Sequence, residues 1–122
     1  MAVLAIDFGT SNTAAGVCVN GAPYLIPLEP GETTLPTAVF LDFAARNTLY
    51  GRQAARAMME GYEGRVMRSL KSVLGTSLAR EKRQFMNEKL TLIEVIARFL
   101  REIRCRAEAA TYQSYDQALS GR

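Results

Sequence analysis

The sequence contains no histidine. Serine–histidine and cysteine–histidine nucleophile arrangements, the helical metalloprotease motif and any imidazole metal ligand are thereby excluded from these 122 residues. Cysteine is scarce. Cys18 and Cys105 are far apart, match no zinc or thioredoxin spacing, and each stands in an apolar segment. They are expected to be buried small hydrophobes rather than a disulfide or a nucleophile, which suits a reducing compartment. No run approaches the roughly 18 apolar residues of a membrane helix, and the N-terminal apolar run is stopped by Asp7 before it can serve as a signal sequence. These features predict a cytoplasmic chain with no membrane partner. Internal repeats, low-complexity tracts and flexible linkers are also missing, and at 48% apolar residues the length suits one compact domain or part of one. The net charge of +3, from 15 basic and 12 acidic residues, is spread along the chain as on a solvated surface, so no nucleic-acid partner is expected.

What is present begins as β-structure. Ala2 to Phe8 is nearly all apolar, as expected for a strand buried on both faces, and Thr13 to Val19 follows after the Gly9-Thr10-Ser11 turn. Asn20-Gly21 tolerates the positive φ of a type I′ turn and closes a third strand, Ala22 to Leu28, into a three-stranded meander. Pro30 to Thr34 breaks it, and Pro36 leads into a strand at Thr37 to Phe43 paired with Thr48-Leu49-Tyr50. Gln53 to Glu60, rich in alanine and methionine, predicts a short helix ended by Gly61 and Gly64. Arg65 to Leu74 predicts a second, with Val66, Leu70, Val73 and Leu74 on one face and Gly75 past its end. Residues 76–89 carry no clear pattern. Thr91 and Glu94 form a capping-box pair that opens a third helix, to about Ala110, on which Ile93, Ile96, Ala97, Leu100, Ile103 and Ala107 recur at helical spacing. Tyr115 to Leu119 reads as the opening of a further strand, so the chain is expected to be truncated within a domain and to self-associate through the surface this leaves uncovered.

The chemistry is concentrated in Asp7-Phe8-Gly9-Thr10-Ser11-Asn12-Thr13. An apolar strand that ends in a carboxylate and turns over glycine into hydroxyl residues has the parts of a phosphate clamp: an acid for a metal's water shell and a backbone that can approach an anion. The plainer reading is that Asp7 caps the following turn through backbone amides. Lys71, taken by itself, is one lysine beside an apolar stripe, where snorkelling accounts for it.

Ile6-Asp7-Phe8-Gly9-Thr10-Ser11-Asn12 resembles the first phosphate loop of the actin-like ATPase superfamily. Three further stretches, in the same order, are similar to the 70-kDa heat-shock (DnaK-type) chaperones within it: Thr34 to Phe40, Leu49 to Ala54, and Lys71-Ser72-Val73-Leu74-Gly75. The resemblance implies an α/β (α+β mixed) RNase H-like half-domain, with residues 1–122 forming the first lobe of a nucleotide-binding domain and the strand near Tyr115 parallel to the first. It implies ATP or ADP and magnesium as cofactors. By the same resemblance Asp7 would hold the waters of the magnesium ion, Gly9, Thr10, Ser11 and Asn12 would bind the β- and γ-phosphates, and Lys71 would be the catalytic lysine at the γ-phosphate. Residues 76–90 are shorter than the corresponding insertion of the larger chaperones, which marks a short, divergent member.

In the family the second phosphate loop, the adenosine pocket and the domain that binds unfolded client protein lie beyond this stretch, so these residues alone are expected to be inactive as an ATPase. A bacterial actin-like filament protein and a sugar or carboxylate kinase share the phosphate loop and stay open as alternatives.

Overall fold

The computed structural model describes residues 3–85 and 88–121. Ala2, the predicted start of the first strand, lies outside the described residues. β1 (Val3–Phe8), β2 (Asn12–Val19) and β3 (Ala22–Leu25) form the expected antiparallel meander, β1 meeting β2 from Ala5↔Gly16 to Phe8↔Thr13. The β2–β3 turn rests on Asn20 and Gly21, both with positive φ (51° and 80°), as a type I′ turn demands. β4 (Thr34–Pro36) pairs with the other end of β2, and a later strand, Gln117–Gly121, lies parallel to β1 in the register Val3↔Gln117 to Asp7↔Gly121, as expected.

A second sheet is built around β5 (Ala38–Asp42), flanked by β6 (Asn47–Tyr50) and β7 (Gly64–Arg68). α1 (Arg52–Met59) covers one of its faces, packing Ala54 and Ala57 against Ala38 and Phe40. A hairpin of β8 (Arg83–Phe85) and β9 (Glu88–Leu90) leads into α2 (Leu92–Thr111), and β10 (Gln117–Gly121) is the parallel strand already described. α2 lies in a single apolar core with the inner face of the first sheet and the side of the second sheet that carries Val39, Leu41 and Met67. Phe99 joins the two: fully buried, its ring lies 5.9 Å from Phe8 of the first sheet and 6.3 Å from Tyr50 of the second.

Helix 91–110 is correctly read, and its capping box is present. Glu94 N–H donates to Thr91 Oγ1 (3.1 Å) and Thr91 N–H to Glu94 Oε1 (2.8 Å), a bond that holds the Glu94 carboxyl below the usual carboxylate range. Past the other end of α2, Tyr115 N–H donates to Glu108 Oε2 (2.9 Å) and lowers that carboxyl in the same way. Glu29 ties three elements together: its Oε2 accepts from Arg52 N (3.0 Å) and Arg106 Nη1 (3.1 Å), and Arg52 Nη2 reaches on to Thr34 O (3.3 Å). Arg52 Nε stands 3.1 Å from Glu29 Oε1 without hydrogen-bond geometry, so this oxygen is paired by charge alone.

Four expectations are corrected. Residues 65–74 are not one helix: Gly64–Arg68 is a strand paired with β5, followed by a 3-10 turn at Leu70–Val73. The partner across the sheet overrides local helix preference, and Gly64 permits it because a Cβ there would collide with the carbonyl oxygen of Leu41 and the Phe40 ring. β1 is buried on one face only, with Val3, Ala5 and Asp7 exposed, whereas it is β5 whose every residue is buried. On α2 the buried stripe is Leu92, Val95, Ile96, Phe99, Ile103 and Ala107, leaving Ile93 and Ala97 exposed; the first turns are apolar on two adjoining faces, and packing chose one. Cys18 and Cys105 are both exposed free thiols, Cys18 on the open face of the first sheet and Cys105 off the buried stripe of α2.

Candidate functional site

Gly9 begins the turn between β1 and β2, where its N–H donates to the Asn12 carbonyl (3.0 Å). A Cβ at this position would strike the same oxygen, so the tight turn requires glycine. The amide of Gly9 is therefore spent inside the loop, and it is Thr10 and Ser11, at the tip, that face outward into a cleft of about 590 Å³. The far side of the loop is anchored. Thr37 N–H donates to the Ser11 carbonyl (2.9 Å), and the buried hydroxyls of Thr13 and Thr37 share a hydrogen bond of 2.7 Å. Their pairing satisfies two polar groups that burial would otherwise penalise, and it holds the loop to the strand led by Pro36.

The rest of the cleft comes from the second sheet and α1: Pro36, Thr37, Ala38, Ala55, Met58, Val66, Arg68 and Ser69. Four hydroxyl side chains and one guanidinium line it, and none of its lining residues is acidic. Such a wall suits an anion rich in acceptor oxygens, since every polar side chain present can donate. Ser69, which follows β7, has a left-handed backbone (φ 54°, ψ 35°). Its carbonyl accepts from both the N–H (3.0 Å) and the hydroxyl (2.7 Å) of Ser72, which locks the bend.

Among the residues singled out from the sequence, the structure brings Thr10 and Ser11 into the cleft. Gly9 and Asn12 shape the loop without lining it, Asn12 pairing instead with Pro36. Lys71 is half-buried in the 3-10 turn, two residues beyond cleft-lining Ser69, with the buried Leu70 pinning its backbone to the core. Asp7 stands apart. It is exposed on the outward face of β1, beside Ala5, Ala14 and Gly16, and has no hydrogen-bond or ion-pair partner among the described residues. No group of three or more potential metal-ligating side chains occurs among the described residues. Thr37, Arg68 and Ser69 were missed as site residues. Thr37 sits inside a stretch quoted for its resemblance, but Arg68 and Ser69 were hidden by the helical reading of 65–74, with only Val66 and the flanking Gly61 and Gly64 to hint at a strand.

A mixed α/β unit of this kind, a meander extended by a parallel strand and packed on a long helix, with a hydroxyl-rich loop at its first turn, has the actin-like ATPase fold. The sequence model of the family described as "Hsp70 protein" matches residues 3–117. A chaperone protein DnaK from Ureaplasma urealyticum serovar 10 is 30% identical over 106 residues, covering 87% of this chain and 16% of that protein. The chain belongs to the Hsp70 family.

Proposed function

We propose that these residues form the first lobe of a nucleotide-binding domain in a DnaK-type chaperone, where ATP hydrolysis drives the handling of unfolded client protein. The observation that carries this reading is the cleft itself: the Thr10–Ser11 loop faces the bend that holds Ser69 and Lys71, across a wall of hydroxyls without a carboxylate. In this reading the loop receives the β- and γ-phosphates. Lys71, a compact charge on a flexible stem, reaches the γ-phosphate from the turn beside Ser69 and helps place the attacking water. Asp7 is fitted to magnesium in one respect. It is a carboxylate at a strand end without a partner among the described residues, and magnesium keeps most of its waters, binding through one or two carboxylates and substrate phosphates. Asp7 would hold those waters, and the ion would supply neutralisation of phosphate charge. Among the described residues no helix is long and apolar enough to cross a membrane.

Phosphoryl transfer is limited by positioning and charge stabilisation, so groups at the γ-phosphate affect rate more than affinity. In the full-length protein, Asp7→Asn and Lys71→Ala are each expected to lower ATP hydrolysis by about 10² to 10³ while ATP affinity changes little. Single-turnover hydrolysis and calorimetric binding check this. Magnesium-dependent turnover that survives Lys71→Ala, or robust turnover by residues 1–122 alone, overturns the assignment.

A further inference from the structure

Arg68 lines the cleft itself, and the roles given to Lys71 and Asp7 leave it without one. On β7 successive side chains alternate between faces: Met67 enters the core, while Val66 and Arg68 line the cleft. The register against β5, Ala38↔Arg68 to Asp42↔Gly64, fixes that choice, because a slip of one residue would exchange the two faces. Arg68 is exposed there and has no hydrogen-bond or ion-pair partner among the described residues. Where arginines on the surface are paired, their partners are glutamates, as at Arg52, Arg98, Arg104 and Arg106. Arg68 instead shares its cleft with the hydroxyl side chains of Thr10, Ser11, Thr37 and Ser69, all of them neutral. The bend at Ser69, immediately after it, is locked by the two bonds from Ser72, so the strand end is held firmly.

We propose that Arg68 is a phosphate-binding residue of this cleft, a second cation acting beside Lys71, whose guanidinium grips phosphoryl oxygens of the bound nucleotide. The proposal rests on the nucleotide reading above and adds to it a residue and a mode of contact. A guanidinium presents its donors in a fixed fork that matches two phosphoryl oxygens, and it stays charged at every working pH. An unpaired fork in a cleft lined by donors and free of carboxylates has its complement in an anion with many acceptor oxygens. Free inorganic phosphate offers the same oxygens as a nucleotide, so the two sources are separated by experiment.

Binding of ATP, ADP, adenosine and inorganic phosphate to the full-length protein is measured by calorimetry for the wild type, Arg68→Gln and Arg68→Lys. Arg68→Gln is expected to weaken ATP and ADP by about 10- to 100-fold, the weight of a charged hydrogen bond, and to leave adenosine unchanged. Arg68→Lys, which keeps the charge and loses the fork, is expected to recover part of the loss. The dependence of ATP affinity on salt should flatten in Arg68→Gln. Its unfolding temperature should match the wild type, since the side chain is exposed and makes no bond among the described residues. ATP affinity unchanged in Arg68→Gln overturns the proposal, as does a loss confined to inorganic phosphate. A wild type that binds neither ATP nor adenosine defeats the nucleotide reading itself, a result distinct from either.

Discussion

The two larger sheets among the described residues are built from similar strands and buried in different ways. In the first, β1 alternates strictly, Leu4, Ile6 and Phe8 facing the core while Val3, Ala5 and Asp7 face outward over an apolar surface that extends to Tyr24 and Leu25. In the second, every residue of β5 is buried, between α1 on one side and the shared core on the other. Apolar content does not distinguish them. β1 reads Val-Leu-Ala-Ile-Asp-Phe and β5 Ala-Val-Phe-Leu-Asp, yet only β5 has a helix on its second face. The difference bears on the candidate site. The first sheet supplies a loop that is tight and anchored, and the second supplies the cations, on a strand end and a turn whose positions depend on pairing with β5.

Phe99, which touches both sheets, offers the harshest way to break this arrangement. Phe99→Ala removes the ring between Phe8 and Tyr50 and is expected to cost about 3–5 kcal/mol, read as a large drop in the urea midpoint with loss of both sheets together. Separate unfolding of the two would show that the core does not couple them. The buried hydroxyl pair that anchors the loop is the next lever. Thr13→Val or Thr37→Val leaves its partner buried and unsatisfied, at about 1–3 kcal/mol, while the double replacement is expected to cost less than the sum. Additive losses in that double-mutant cycle would mean that the two side chains act independently.

Acid sharpens the contrast between helix ends and sheets. Glu94 and Glu108 have carboxyl groups lowered in the folded state by backbone donors, so they bind protons less readily folded than unfolded. Their contribution is present above the ordinary carboxylate pKa and disappears as pH falls through that value toward the lowered one. Glu94→Gln and Glu108→Gln together should therefore flatten the loss of stability below about pH 4, followed by thermal unfolding. An unchanged pH profile would remove these two bonds as its source.

The smallest effect is expected on the open face. Tyr24→Ser and Leu25→Ser should move stability by no more than about 0.5 kcal/mol, since both side chains are already largely exposed. If residues 1–122 self-associate through this face, as expected from its apolar surface, the same substitutions should disperse them in light scattering. A clean monomer of the unaltered chain at high concentration counts against that association.

Legibility from sequence followed the range of the interactions involved. The capping box at Thr91 and Glu94, the Asn20-Gly21 turn and the glycine of the β1–β2 turn depend on residues within a few positions of one another, so their chemistry is written locally. The resemblance of Ile6 to Asn12 and of Lys71 to Gly75 pointed to the family, and residues 3–117 match it. Thr10 and Ser11 were found because a loop is contiguous. Arg68 was not, because its place in the cleft depends on pairing with a strand some thirty positions away. The same limit explains the other corrections. Whether β1 or β5 is covered twice, which of two apolar faces of α2 is buried, and whether Cys18 meets solvent are decided by what packs alongside. By itself the sequence determined the turns, the helix cap and the hydroxyl loop, all settled by local sterics and hydrogen bonding. The tertiary structure alone decided that residues 64–68 form a strand and that Arg68 joins the loop in one cleft, because burial and strand pairing are properties of segments brought together only by the fold.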